Sequence, residues 1–237
     1  MLKIELKEKP QENAVIIEGF PGFGFVSTIA TEFLIKHLNA KPIGRIVSEK
    51  LEPIATIHNN EVLDPLQIFY AKKENLIIVQ ALVPVDELEW EIADTISELA
   101  KKIKAKEIIG LEGVTSSFEG KESKVFFFSR IKEKRKLSQQ LKIPPLQEGI
   151  IIGVTGALLM KKDIPLSCFF VETHSKLPDN AGAAKLIKTL DAYLNLKVDY
   201  KPLLERAKEF EDKLKKILSQ ITTTKDQKEK KELTYMG

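Results

Sequence analysis

Short β-branched runs alternate with segments of helical periodicity along most of the chain, and this alternation limits the fold more than any other feature. Ala14–Glu18 is such a run and stops at Gly19; after the turn Phe20-Pro-Gly-Phe-Gly24 a helical pattern occupies about residues 25–38. Pro42–Val47, Ile54–Ile57, Glu107–Leu111, Lys124–Phe128 and Leu166–Glu172 read as further strands, and Ile150–Val154 as a buried one. Leu66–Ala71 and Leu76–Ala81 flank Lys72–Asn75 as a hairpin, which brings antiparallel pairing into the sheet. Helices are expected over Asp86–Lys104, where Leu88, Ile92, Ile96, Leu99 and Ile103 share one face and Asp86 is the N-cap, over Thr155–Lys162, and over Asp179–Leu196 with Asp179 as its cap. Strands that alternate with helices pack most economically as right-handed βαβ units. The expected body, residues 1–200, is therefore α/β: a mixed, largely parallel sheet sandwiched by helices.

The last part differs in kind. From Leu203 the apolar positions Leu203, Ala207, Phe210, Leu214, Ile217 and Ile221 follow steps of 4, 3, 4, 3 and 4, a narrow seam flanked by lysine and glutamate. An amphipathic C-terminal helix over residues 201–221 is expected, with Phe210 its bulkiest contact and a helix or groove as its partner. Residues 222–237 form a flexible tail with an apolar terminus, Leu233-Thr-Tyr-Met-Gly237. Tyr235 with Leu233 and Met236 on a polar tether makes a workable short peptide ligand, because tyrosine supplies apolar area plus a hydroxyl and the terminal carboxylate of Gly237 can pair with a lysine.

Composition excludes several function classes. With 37 basic and 34 acidic residues the formal charge is only +3, too small for the field of a dedicated nucleic-acid binder. No stretch is apolar enough for a membrane span, and the opening Met1–Pro10 lacks the apolar core of a leader, so a cytoplasmic protein is expected. The single cysteine, Cys168, can make neither an internal disulfide nor a cysteine-based zinc site, and no metal-ligand spacing occurs elsewhere; no metal or cofactor is expected. The four arginines against abundant lysine, with glutamate ahead of aspartate, give a surface like that of proteins from hot environments.

Two places offer chemistry. Gly19-Phe-Pro-Gly-Phe-Gly24 joins a strand to a helix, where backbone N–H groups can cradle phosphate. Its spacing is not that of a dinucleotide fingerprint, Pro21 removes a donor, and the simpler expectation is a tight turn from which Phe20 and Phe23 pack or present an apolar edge. The second place is the shared edge where parallel strands end. Glu112-Gly-Val-Thr-Ser116, Gly153-Val-Thr-Gly156 and Glu172-Thr-His-Ser175 fall there, so Glu18, Glu112, Glu172 and His174 are candidates to line one crevice. No nucleophile–histidine signature accompanies them, and strand-end carboxylates also cap loops in proteins without catalysis. His37 and His58 read as surface residues. Trp90, among acidic residues on a helix, reads equally as a contact surface and as the edge of the core.

Glu18-Gly-Phe-Pro-Gly-Phe-Gly24, Glu112-Gly-Val-Thr115, Gly153-Val-Thr-Gly-Ala-Leu-Leu159 and Glu172-Thr-His174 with Pro178-Asp-Asn-Ala-Gly-Ala-Ala184 together resemble the archaeal proteasome assembly chaperone family over about residues 10–220. The resemblance implies a phosphorylase-like α/β sandwich without a catalytic site, assembly into homo-oligomers, and docking on the α-ring of the proteasome core. It also implies a C-terminal hydrophobic residue, tyrosine and final residue that enter pockets between α subunits. Here Thr234 stands at the hydrophobic position, and a shifted register would use Leu233, Tyr235 and Met236. The expected function is thus a non-enzymatic binding protein, chaperone or activator-like, whose partners are proteasome α subunits or an assembly factor and copies of itself. Phe20, Phe23, Trp90 and Phe210 are the expected contact residues. The alternative is a small-molecule enzyme of nucleoside-phosphorylase-like fold that uses the strand-end crevice.

Overall fold

The computed structural model describes residues 2–51, 53–54, 56–58, 60–115, 123–173 and 177–198. The expected seam helix with Phe210, and the tail with Leu233, Tyr235, Met236 and Gly237, lie outside the described residues. In chain order the elements are β1 (Lys3–Leu6), β2 (Val15–Gly19), α1 (Val26–His37), β3 (Lys41–Val47), β4 (Thr56–His58), β5 (Glu61–Leu63), β6 (Leu66–Ala71), β7 (Leu76–Ala81), α2 (Glu89–Lys102), β8 (Glu107–Thr115), β9 (Val125–Ser129), α3 (Lys132–Gln140), α4 (Gly153–Met160), β10 (Leu166–Thr173) and α5 (Asn180–Leu194).

Eight strands form one mixed sheet in the order β1-β3-β6-β7-β2-β8-β10-β9, and β4 with β5 makes a separate hairpin. Parallel pairing is confined to the centre, where β7, β2, β8 and β10 lie side by side. Both flanks are antiparallel, β6, β3 and β1 on one side and β9 on the other. Side chains alternate between two cores. Ile16, Ile108, Leu166, Cys168 and Phe170 face α2 and α4, whereas Ile17, Ile109, Leu111, Phe169 and Val171 face α1 and α5. Strands buried on both faces explain why the central ones read as continuous apolar runs.

Two expectations need correction. Ile150–Val154 is not a buried strand: Ile150 is 93% and Ile152 63% exposed, and α4 already begins at Gly153, whose φ of +75° suits glycine. A short apolar run carries no period of its own, and every position beside the central strands is already taken by another strand. Asp86 does not cap α2; Leu88 holds that position and its N–H bonds Val85 O in a turn that delays the helix to Glu89. The charged opening segment contains β1, an edge strand paired with β3. Its alternation was masked by charge on the solvent face, as edge strands often carry.

The charged segment 132–136 lies on α3. Most of it is exposed, but Lys134 turns inward to pair at 2.9 Å with Glu107, a fully buried carboxylate that also accepts hydrogen bonds from Ser167 and, at 2.5 Å, from Tyr193. This network fastens α3 and α5 to β8.

The Asp179 cap holds. Its carboxylate accepts from Gly182 N at 2.8 Å, while its own N–H donates to Gly24 O at 2.8 Å, so the cap also ties α5 to the turn before α1. Asp179→Ala is expected to cost about 1 kcal/mol, read as a lower urea midpoint at unchanged slope.

Candidate functional site

The glycine turn closes against the ends of β8 and β10, and each glycine there makes room for a specific neighbour. A Cβ on Gly22 would lie 2.1 Å from Glu112 Oε1, one on Gly113 2.1 Å from Phe23 O, and one on Gly24 2.5 Å from Thr173 Oγ1. Gly24, at φ +64°, also needs the left-handed conformation that glycine adopts freely. The space in which a phosphate would sit is therefore taken by a carboxylate. Glu112 accepts from Gly113 N at 3.2 Å, so one of the local N–H groups already serves an internal carboxyl.

Behind Glu112 lies a second carboxylate. Glu18 ends β2 on the face covered by α4 and is wholly buried; its register partner on β8 is Gly110, where a Cβ would meet Glu18 Oε1 at 3.0 Å. The missing side chain at Gly110 thus leaves room for the Glu18 carboxylate. Thr155, on the first turn of α4, donates to Glu18 Oε1 at 2.6 Å and stands 3.3 Å from Glu112 Oε2. A hydroxyl has one donor and two acceptor sites, so Thr155 can donate to Glu18 while accepting from a protonated Glu112. Burial pushes the Glu18 carboxyl up to about 8, against the opposing Thr155 hydrogen bond, and burial followed by the Glu18 charge pushes Glu112 up to about 8. The pair therefore shares protons at neutral pH. Burial, then the charge of Glu18, also drives the Cys168 thiol upward, away from the reactive thiolate.

On its open side Glu112 contributes to a cleft of about 510 Å³. Phe23, Val114, Phe126, Pro145, Leu146 and Ile150–Ile152 supply most of its wall, with Glu148 and Glu172 as further carboxylates. Glu112, Val114, Phe126 and Glu172 share one sheet face, because Phe170 pairs with both Glu112 and Phe126 and Glu172 pairs with Val114. Glu172 is held in place by Lys124 N, which donates to its Oε2 at 3.0 Å. Of the four residues expected to line one crevice, Glu112 and Glu172 line this cleft, Glu18 is buried behind Glu112 and is not part of the wall, and His174 lies outside the described residues.

Phe20 is only 4% exposed and belongs to the core; it cannot be the contact residue expected of it, because the turn folds its ring inward while Ser27 Oγ donates to its carbonyl at 2.5 Å. Phe23 is half-buried and lines the cleft. Trp90 is 57% exposed, with Lys161 Nζ 5.9 Å from its ring centroid. The sequence pointed to Thr155 only as part of a strand-end glycine cluster, and gave no sign that the exposed segment before α4 walls the cleft. Among the described residues no group of His, Cys, Asp and Glu is arranged to hold a metal ion, and no helix is long and apolar enough to cross a membrane.

The sequence profile of the PAC2 family matches residues 16–218. The chain belongs to the PAC2 family. This PAC2 protein is 30% identical over 218 residues to MJ0106, an uncharacterized protein of Methanocaldococcus jannaschii, with 88% of this chain and 87% of that one covered. Its fold matches the crystal structure of Pyrococcus furiosus PbaA, described as an archaeal homolog of proteasome-assembly chaperone, with a TM-score of 0.84 at 30% identity over 95% of this chain and 100% of the other. Pyrococcus furiosus PbaB, described as an archaeal proteasome activator, shares the fold with a TM-score of 0.75 at 24% identity over 91% of this chain and 98% of the other. The fold and the resemblance carried by the strand-end motifs are thereby confirmed.

Proposed function

We propose that this PAC2 protein is a non-enzymatic, proteasome-related binding protein of the cytoplasm, an assembly chaperone or activator-like homologue. It docks on the α-ring of the proteasome core, or on an associated factor, through its C-terminal tail. The observation that carries this reading is the full-length match to PbaA. The tail chemistry supports it, since Leu233, Tyr235 and Met236 follow a polar tether long enough to reach away from the body. Several tails on one homo-oligomer would raise avidity without new contacts.

Affinity capture with the full-length chain and with a chain ending at Ile221 tests the tail. Full-length bait is expected to retain proteasome α subunits and the shortened bait to lose them; equal retention would move binding to the body. Self-association is expected to use exposed apolar surface such as Trp90 and the rim of the cleft near Phe23. Light scattering that gave the 26.8 kDa mass of a single chain at micromolar concentration would rule that out.

A small-molecule enzyme is the second reading, favoured by the open cleft at the strand ends. Against a phosphorylase-type reaction stands the occupancy of that edge. Glu112 fills the turn where phosphate would bind, and its carboxyl already accepts from Gly113 N. An anionic substrate there would find both the space and that donor taken.

A further inference from the structure

β1 closes one end of the eight-stranded sheet and pairs only with β3, so one side of its backbone is open. The register decides which groups are left there. Lys7 N donates to Ile43 O at 2.7 Å, in step with Glu5 opposite Arg45 and Lys3 opposite Val47. Antiparallel strands bond at alternate residues, so Lys3, Glu5 and Lys7 bond inward to β3, while the N–H and C=O groups of Leu2, Ile4 and Leu6 point outward from the sheet. Among the described residues nothing bonds those outward groups.

The side chains of this edge divide by face. Ile4 and Leu6 are half-buried against the core that α2 and α4 cover, and Lys3 and Glu5 are exposed on the other face. There the charges form a row of alternating sign that runs toward the edge, with Asp64 bonded to Arg45 at 2.9 Å and Arg45 to Glu5 at 2.8 Å. The row ends on a carboxylate at the open strand. Lys3, two residues away on the same face, has no ion pair among the described residues. Edge charges ordinarily keep foreign strands away, but charges of alternating sign admit a strand whose own charges are complementary.

We propose that β1 pairs with β1 of a second copy of this chain, antiparallel about a two-fold axis at Ile4, so that one continuous sheet runs through both. In this register Ile4 lies opposite the partner's Ile4 and Leu2 opposite the partner's Leu6, and the outward groups of the two strands meet in about six backbone hydrogen bonds. Lys3 lies opposite the partner's Glu5, so the row from Asp64 through Arg45 and Glu5 is completed by a cation on each side of the axis. Moving the axis by one residue either way sets lysine against lysine or glutamate against glutamate, which fixes the register. The half-buried Ile4 and Leu6 gain apolar neighbours on the face covered by α2 and α4. This names a surface for the homo-oligomer and rests on that reading, but it involves neither the C-terminal tail nor the cleft.

The test is sedimentation equilibrium of the untagged full-length chain at low salt, where surface charge is least screened. The parent is expected at an even multiple of 26.8 kDa, because a two-fold edge joins chains in pairs. Ile4→Pro removes an outward N–H and leaves the bonds to β3, a placement that edge strands tolerate, and should weaken association at least about tenfold. Lys3→Glu and Glu5→Lys each bring like charges together across the axis and should each weaken it about tenfold. Mixed in equal amounts, these two variants set opposite charges at both positions and should associate as tightly as the parent, a recovery that a purely structural role for β1 does not produce. Both charge variants lie at exposed positions and serve if Ile4→Pro fails to fold. Association unchanged in all three variants would overturn the edge pairing and leave the homo-oligomer in place, whereas a parent that stays a single chain would overturn both. An odd number of chains, or a mixture no tighter than its components, would also overturn the pairing. Tail docking is judged separately by the capture experiment above.

Discussion

Phe169→Ala is expected to remove about 3–5 kcal/mol of folding stability, a large share of what a domain of this size possesses. Phe169 is fully buried at the centre of an aromatic trio, with ring centroids 4.9 Å from Phe127 and 5.0 Å from Tyr193. Those three rings come from β10, β9 and α5, so the cavity left by alanine would loosen three elements at once. Collapse is resisted from below. Tyr193 is tethered by its hydroxyl to Glu107 at 2.5 Å, and Lys134 sits 4.6 Å from the Tyr193 ring centroid while pairing with Glu107 at 2.9 Å. A rigid surround keeps the cavity open, which places the cost in the upper part of the range. Phe169→Leu retains most of the volume and should cost less than about 1.5 kcal/mol. Urea unfolding of the two variants and the parent under identical conditions checks both values. A cost below about 1 kcal/mol for the alanine variant would mean that the trio is not a packing centre.

Much of this architecture is legible along the chain, and the failures share one cause. The β2, β8 and β10 runs announce themselves because strands buried on both faces are apolar over most of their length, and the hairpin of β6 and β7 because its turn is polar. Asp179 is found because a cap acts within its own helix turn. Ile150–Val154 fails because burial is a tertiary property: the same five residues would be a strand beside an open sheet edge, and instead Ile150–Ile152 wall a cleft while Gly153 and Val154 begin α4. Lys134 and Glu107 are missed for the same reason, since their pairing joins elements far apart in the sequence. Counting strand ends puts Glu18 and Glu112 at one edge of the sheet. Their burial was invisible, because it depends on Gly110, Gly22 and the first turn of α4 closing round them.

That closure has a consequence for pH. Glu18 titrates near 8 in the folded protein against an ordinary value of 4.5, raised chiefly by burial, and Glu112 behaves likewise with the Glu18 charge adding to burial. Between those values the folded chain holds protons that the unfolded chain has released, so stability falls as pH rises. The contribution is fully present below about pH 4.5 and is lost progressively up to and beyond pH 8. For one group displaced this far the loss by pH 8 is about 4 kcal/mol, and because the two carboxyls are coupled it belongs to the pair. Glu18→Gln keeps the shape and the Thr155 hydrogen bond but cannot ionise. It also removes the charge that raises Glu112. Unfolding midpoints at pH 5 and pH 8.5 should therefore drop steeply in the parent and much less in the variant, with the two proteins closest at pH 5. The interval avoids the Cys168 thiol, whose raised titration lies higher still. Parallel midpoint curves for the two proteins would show that Glu18 is solvated enough to ionise normally, and that the strand-end pair does not hold a proton at neutral pH.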